Sequence, residues 1–125
     1  MFTWMPGNAY AMQATLYENN ITLNNPAAAK LKNFRWCMVG FDERNKKMAI
    51  KGISKEDADH KIVPLENLNK ISLGKGYARI SNKSIVEYAG KVVGSSCINR
   101  KFPIQYDDHE QLLIIDLNTD KEVSL

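Results

Sequence analysis

The sequence predicts an α+β fold in which two tandem βαββ units form a small β-barrel-like domain with short capping helices. Three observations support this prediction. Residues 14–33 align without a gap on residues 71–90, both blocks change from strand-like to helical spacing after an asparagine, and both are followed by a hairpin pattern. Self-similarity over such a length is typical of a duplicated architecture. The alternative is that the two blocks share only common turn chemistry.

The alignment also sets the extent of the predicted units. An offset of 57 residues relates the first blocks, and an offset of 65 places Phe41 on Tyr106, so the second copy contains an eight-residue insertion (65 − 57). The chain is therefore predicted to be a single domain, with repeat units at about 14–53 and 71–117. The charged, proline-containing segment 54–70 is predicted to be an exposed linker between them.

The first copy has the pattern of two short strands, a capped helix and a hairpin. Asn25 is the predicted N-cap and Pro26 the first helical residue, because the cap side chain accepts an unsatisfied backbone N–H and proline has none to satisfy. The helix is predicted to end near Asn33. Residues 35–41 and 47–53 then alternate as two strands around a polar turn, which predicts a hairpin.

The second copy repeats this order with different residues. Gly74-Lys75-Gly76 predicts a tight turn, since its glycines allow positive backbone dihedrals. Asn82 is the predicted cap of an amphipathic helix that ends at Gly94. Residues 102–117 alternate on either side of an acidic turn, which predicts the second hairpin.

Length and composition describe an ordinary globular chain. A protein of 125 residues with 44% hydrophobic and 25% charged residues buries roughly two-thirds of its unfolded surface. The first residues carry no positive leader pattern, and no stretch approaches the ~20 apolar residues of a membrane span, so the protein is predicted to be cytoplasmic. Cys37 and Cys97 are predicted to be buried free thiols. The amino-terminal MFTWMP segment, with its four large apolar residues, is predicted to cap the core, and an exposed partner patch is the alternative.

The net charge of +3 is unevenly distributed. Residues 14–53 contain seven basic and three acidic residues, a local charge of +4. Between Lys75 and Lys101, six basic residues accompany one acid, Glu87, a local charge of +5. Such a cluster indicates an anionic partner, and the alternative is a solvated surface.

Two stretches resemble the signature of AbrB-like and MazE-like bacterial DNA-binding proteins, which is Gly-Arg-Ile-Thr-Ile-Pro followed by a helix. They are Asn20-Ile21-Thr22-Leu23-Asn24-Asn25-Pro26 and Tyr77-Ala78-Arg79-Ile80-Ser81-Asn82-Lys83. The first lacks the arginine, the second lacks the proline, and neither helix is followed by the usual Gly-Asp. The resemblance implies a swapped-hairpin barrel, in which a tandem chain could interlock within itself, and a DNA-binding transcriptional regulator.

The sequence shows no catalytic or metal-binding constellation, so the protein is predicted to be non-enzymatic and to need no cofactor or metal. Metal sites need clustered ligands, whereas His60 and His109 stand apart in polar segments and are predicted to be exposed. Asp42 and Asp107 begin the two equivalent turns. Their carboxylates are predicted to accept hydrogen bonds from the turn backbone.

Two functions follow from this sequence. The first is regulation through duplex DNA, in which Arg79 reaches a base edge and Tyr77 stacks, while phosphates contact Lys30, Lys32, Arg35, Lys75 and Lys83. Trp36, in a strand, is expected to lie in the core rather than to stack on bases. The alternative is a protein-interaction module, such as an antitoxin-like or phage- or plasmid-borne regulator, that acts as a homodimer or on a protein partner without binding nucleic acid.

Overall fold

Eight antiparallel strands close into a barrel in the computed structural model, which describes residues 1–7, 11–60 and 63–118. The strands are β1 (Gln13–Leu16), β2 (Asn20–Asn24), β3 (Trp36–Asp42), β4 (Lys47–Ile53), β5 (Asn69–Gly74), β6 (Tyr77–Ser81), β7 (Arg100–Asp107) and β8 (Leu112–Asp116). Around the barrel their order is β1-β2-β6-β5-β3-β4-β8-β7, and β7 pairs again with β1. The prediction of a small barrel-like α+β domain is confirmed at this level.

Short helices connect the strands. They are α1 (Asn25–Ala28), which continues as a 3₁₀ turn (Ala29–Leu31), α2 (Lys55–Asp59), a second 3₁₀ turn (Leu65–Asn67) and α3 (Lys83–Val93). The helix α1 follows β2, and α3 follows β6, whereas α2 and the second 3₁₀ turn lie between β4 and β5. None of the helices in the described part of the chain is long and apolar enough to cross a bilayer.

The core lies inside the barrel because alternate residues of each strand point inward. On β2 and β6 the inward pairs Ile21–Ile80 and Leu23–Ala78 are fully buried. Phe102 on β7 is the largest of the fully buried side chains. Leu31, Val86 and Ala89 add the buried sides of the helical segments, which cover the ends of this core.

Both cysteines are buried free thiols, as predicted. Cys37 lies on the inward side of β3 with none of its surface exposed. Burial raises the pKa of its thiol to about 12, because the surrounding apolar side chains cannot solvate a thiolate. The pKa of Cys97 is raised by the same cause. Neither cysteine is therefore an activated nucleophile.

The local signals for turns and for α3 are confirmed. The Asn82 side chain accepts a hydrogen bond from the Ile85 N–H at 3.3 Å, and Gly94 ends the helix at a positive φ of 90°. Asp42 accepts from the Asn45 backbone N–H at 3.1 Å. Asp107 accepts from two backbone N–H groups of its own turn. The four interactions depend on neighbours within a few residues, which is why the sequence was sufficient to predict them.

The predicted cap of the first helix is wrong by one residue. The helix begins at Asn25, and the N-cap position is occupied by Asn24, whose side chain makes no cap hydrogen bond. Its amide instead accepts from the Gln13 N–H at 2.9 Å and donates to the Ala11 carbonyl at 2.8 Å. The side chain therefore connects β2 to the chain that enters β1. Pro26 still lies in the first helical turn, where its missing N–H has no cost.

Two expectations for apolar residues are also wrong. The large side chains of the first segment do not cap the core, because Met1, Phe2, Trp4 and Met5 each expose at least 80% of their surface. Trp36, which was expected in the core, is the first residue of β3, points outward and exposes 36% of its surface. Strand alternation explains this placement, since its neighbour Cys37 takes the inward position. His60 and His109 are exposed, as predicted.

Candidate nucleic-acid interface

One row of side chains runs across the outside of five strands and contains Arg79. The strand registers pair Arg79 with Thr22 on β2 and with Ser72 on β5. Thr22 pairs with Thr15 on β1, which in turn pairs with Lys101 on β7. Because directly paired residues in antiparallel strands point to the same side, the five side chains form one outward row.

The rows on either side complete a surface that we call the basic face. We define it as the outward positions of β5, β6, β2, β1 and the first half of β7: Lys70, Ser72, Gly74, Tyr77, Arg79, Ser81, Asn20, Thr22, Asn24, Gln13, Thr15, Lys101 and Pro103. Three of these residues are charged, Lys70, Arg79 and Lys101, and all three are cations. The β5–β6 turn adds Lys75 at its rim. The face therefore has the positive charge and hydrogen-bonding groups that suit a phosphate backbone.

A stack of three residues holds Arg79 on this face. The Tyr77 ring lies against Gly74, so close that a Cβ at Gly74 would come within 2.1 Å of the ring. The Arg79 guanidinium lies over the same ring, with its central carbon 5.0 Å from the ring centroid. This cation–π contact restricts a long side chain that is otherwise exposed, while its N–H donors remain available to a ligand.

The structure brings together only part of the predicted site. Tyr77 and Arg79 lie on the outward side of the β5–β6 hairpin, and Lys75 lies in its turn. Lys83 is exposed at the start of α3, beyond the opposite end of β6. The other predicted cations lie outside this hairpin.

Lys30, Lys32 and Arg35 lie between β2 and β3, at or after the 3₁₀ turn. The Lys30 ammonium lies 4.4 Å from the Tyr106 ring centroid on β7. Lys32 is exposed just after the turn. Arg35 lines a polar cleft of about 360 Å³ with Lys55 and Asp59 of α2. These three cations are therefore not positions of the basic face.

Sequence reasoning missed Thr22, Thr15, Ser72, Lys70 and Lys101, which the strand registers place on the basic face. A signal for one of them was present, because the 57-residue offset aligns Thr22 with Arg79 (22 + 57 = 79). The contribution of Lys101 had no such signal, since it depends on the pairing of β7 with β1.

The charge of the basic face is concentrated on one side. The β5–β6 hairpin contributes Lys70, Lys75 and Arg79, and the positions of β1–β2 that correspond at the 57-residue offset are Gln13, Glu18 and Thr22. An anionic ligand would therefore be attracted most strongly to the β5–β6 side.

The described residues offer few alternatives to this face. Within them, no group of three or more His, Cys, Asp and Glu side chains is placed to hold a metal ion. The pKa of Asp42 is lowered, mainly by the side-chain hydrogen bond from Asn45, which belongs to the turn. The pKa of Tyr88 is raised, mainly by its hydrogen bond to the Glu43 carboxylate at 2.5 Å. Both shifts have structural causes.

Comparison with known proteins gives no further guidance, since no family model, no curated protein and no solved structure matches this chain.

Proposed function

We propose that the chain consists of two βαββ units of the AbrB-like type that interlock as swapped hairpins. The strand registers support equivalent units. The 57-residue offset carries the β1–β2 pair Ala14–Leu23 onto the β5–β6 pair Ile71–Ile80. The 65-residue offset likewise carries Phe41–Met48 of β3–β4 onto Tyr106–Leu113 of β7–β8. Equivalent positions thus pair in the same way in both halves of the chain.

The order of strands around the barrel supports the interlocking. The strand β1 pairs with β7, and β5 pairs with β3, so the second hairpin of each proposed unit completes the sheet of the other. Two of the strand pairs join equivalent positions of the two units, Thr22 with Arg79 and Ala49 with Ile114. A two-fold axis relating the units would therefore pass through the barrel between the members of each pair.

The two-fold relation is imperfect at one contact between the units. The β1–β7 pair Ala14–Phe102 corresponds to Ile71–Cys37 (14 + 57 and 102 − 65), but Cys37 pairs with Asn69. The β3–β5 pairing is therefore displaced by two residues. Displacement by two keeps every inward side chain inward, so the core tolerates it.

We propose that the function is DNA-binding transcriptional regulation and that the basic face contacts the duplex. The observation that supports it best is the position of Arg79, held on Tyr77 at the centre of a face whose charged positions are all cationic. Lys70, Lys75 and Lys101 would contact phosphates, and Arg79 would reach a base edge. Since the equivalent of Arg79 is Thr22, the bound site would not be palindromic.

Fluorescence anisotropy with a labelled random-sequence duplex tests this proposal. The three lysines predict a log–log salt slope of about −2.7, so the affinity should fall about 40-fold between 50 and 200 mM salt. The variant Lys75→Ala should reduce the slope by about 0.9. Arg44→Ala is the matched control, because Arg44 is exposed in the β3–β4 turn and carries the same charge. Equal slopes for both variants, or no binding at low salt, would contradict the proposal.

The alternative function, a protein-interaction module, is supported by a different observation. Met1, Phe2, Trp4 and Met5 are exposed, and a contiguous set of exposed apolar side chains marks a contact surface. Under this alternative the basic face is solvated and the protein acts through a partner. Absence of DNA binding, together with self-association that depends on these residues, would favour it over DNA binding.

A further inference from the structure

One edge of β3 has no strand partner over most of its length. β3 pairs with β4 from Trp36 to Asp42, but with β5 only at Trp36 and Cys37. Within the described residues, no other strand pairs with residues 38–42 of β3. An unpaired edge exposes backbone donors and acceptors that a further strand can bind.

The directions of the backbone groups can be derived from neighbouring hydrogen bonds. The Arg35 carbonyl accepts from the Ile71 N–H of β5 at 2.8 Å. Since backbone groups alternate in direction along an antiparallel strand, the N–H and C=O groups of Val39 and Phe41 point to the same edge. α3 lies near the far end, where Tyr88 contacts the Phe41 ring at 4.8 Å between centroids. The open part of the edge is therefore centred on Val39.

A cleft of about 490 Å³ lies beside this edge. Its lining is apolar and amide-rich and includes Met38, Val39, Ile85, Leu112, Asn67 and Asn82. The charged residues of the lining, Lys51 and Glu66, have opposite signs. The cleft therefore suits an uncharged apolar segment, and not an anionic one.

The first seven residues of the chain have the matching chemistry. They contain no charged side chain, and the four large apolar ones remain exposed on their own chain. The rings of Phe2 and Trp4 lie 6.2 Å apart between centroids, as expected for residues i and i+2 on one side of an extended segment. One side of this segment could thus present two aromatic rings while its backbone pairs with a strand edge.

We propose that residues 1–5 of a second copy of this chain add as a strand to the β3 edge, with Phe2 and Trp4 in the cleft. The exchange is reciprocal in a two-fold dimer. Phe2 and Trp4 of the two chains are four aromatic side chains, and each removes about 150–250 Å² of its own surface from solvent on burial. An equal area of the clefts is covered, so the dimer would bury about 1,200–2,000 Å² in total. That area is the size of a standard stable interface, about 1,200–2,000 Å². The basic face lies on other strands and stays open, so this inference does not depend on DNA binding.

Light scattering during size-exclusion chromatography of the 125-residue chain, over a range of concentrations, tests the proposal. We expect twice the monomer mass of 14.2 kDa at about 100 μM, which saturates a micromolar dissociation constant. In a Trp36→Phe background, Trp4 is the single tryptophan, and its emission should shift to the blue as the dimer forms.

Two variants locate the contact on both partners. Trp4→Ala removes the anchor, and Gly40→Glu places a charge on β3 beside the cleft, where an added Cβ meets no atom within 4 Å. Each should raise the dissociation constant about tenfold or more, since aromatic anchors dominate interfaces. Tyr17→Ala, which removes an exposed aromatic side chain outside the cleft, should leave it unchanged. Unchanged circular dichroism establishes that each variant is folded.

Three results would overturn the proposal. One is a monomer with solvent-exposed Trp4 at every concentration. Another is a monomer whose Trp4 emission is blue-shifted independently of concentration, which would place the segment on its own chain. The third is a dimer that is indifferent to Trp4→Ala and Gly40→Glu, which would place the interface elsewhere.

Discussion

The buried thiol of Cys37 couples the stability of the barrel to alkaline pH. Burial raises its pKa from an ordinary value of 9.0 to about 12 in the folded protein. The folded state thus favours the neutral thiol, and the unfolded state releases the proton more readily. The stabilising contribution is complete below about pH 9 and is lost as the pH rises towards 12, because the unfolded chain binds fewer protons there.

The size of the effect follows from the shift. One pKa unit corresponds to about 1.4 kcal/mol, so the free energy of unfolding should fall by about 1.4 kcal/mol per pH unit above pH 9. Over the full interval the loss is about 4 kcal/mol. A domain is stable by only about 5–15 kcal/mol, so a loss of this size is a large fraction of the free energy of unfolding.

Urea unfolding between pH 8 and 11, under reducing conditions, measures this contribution when wild type is compared with Cys37→Ala. Other alkaline groups, including Cys97, are present in both proteins and cancel in the difference. The stability difference between wild type and variant should therefore shrink by about 1.4 kcal/mol per pH unit above pH 9. Parallel pH profiles for the two proteins would refute the reasoning, because they would mean that the thiolate is tolerated inside the barrel.

Four further predictions concern packing, capping and the basic face. Phe102→Ala should lower the free energy of unfolding by about 3–5 kcal/mol in urea titrations, since it empties the largest fully buried position. Asn82→Ala should cost about 0.5–2 kcal/mol, because Ile85 loses its cap acceptor. Asn25→Ala should change the free energy of unfolding by less than about 0.5 kcal/mol. A larger loss would indicate that the Asn25 side chain caps the first helix after all. If the basic face binds DNA, Gly74→Ala should weaken binding by about 0.5–1 kcal/mol, because the added Cβ displaces the ring under Arg79, and unchanged anisotropy titrations would count against that stack.

The features that the sequence predicted correctly depend on short-range physical chemistry. The cap at Asn82, the left-handed end at Gly94 and the carboxylate-closed turn at Asp42 are decided by atoms within four residues. The strand residues 47–53 were correct for a similar reason, because alternation records which side of a strand is buried.

The features that sequence reasoning missed are decided by distant parts of the chain. Asn24 does not cap its helix because its amide bonds to Gln13 and Ala11, more than ten residues away. The pairing of β7 with β1, which brings Lys101 to the basic face, has no local signature. For the candidate site, the sequence therefore predicted the cluster of Lys75, Tyr77 and Arg79 on one hairpin. It could not predict the neighbouring strands that make this hairpin part of a wider face.

The pairing of β1 with β7 has a consequence for synthesis of the protein on the ribosome. Gln13 and its partner Pro103 are separated by 90 positions (103 − 13). At roughly 5–20 residues per second, β1 emerges roughly 5–18 s before the strand that covers its second edge. During that interval β1 can pair with β2, but its other edge is open to neighbouring nascent chains. The final strands, and not the first, thus determine when the newly made chain is protected from aggregation.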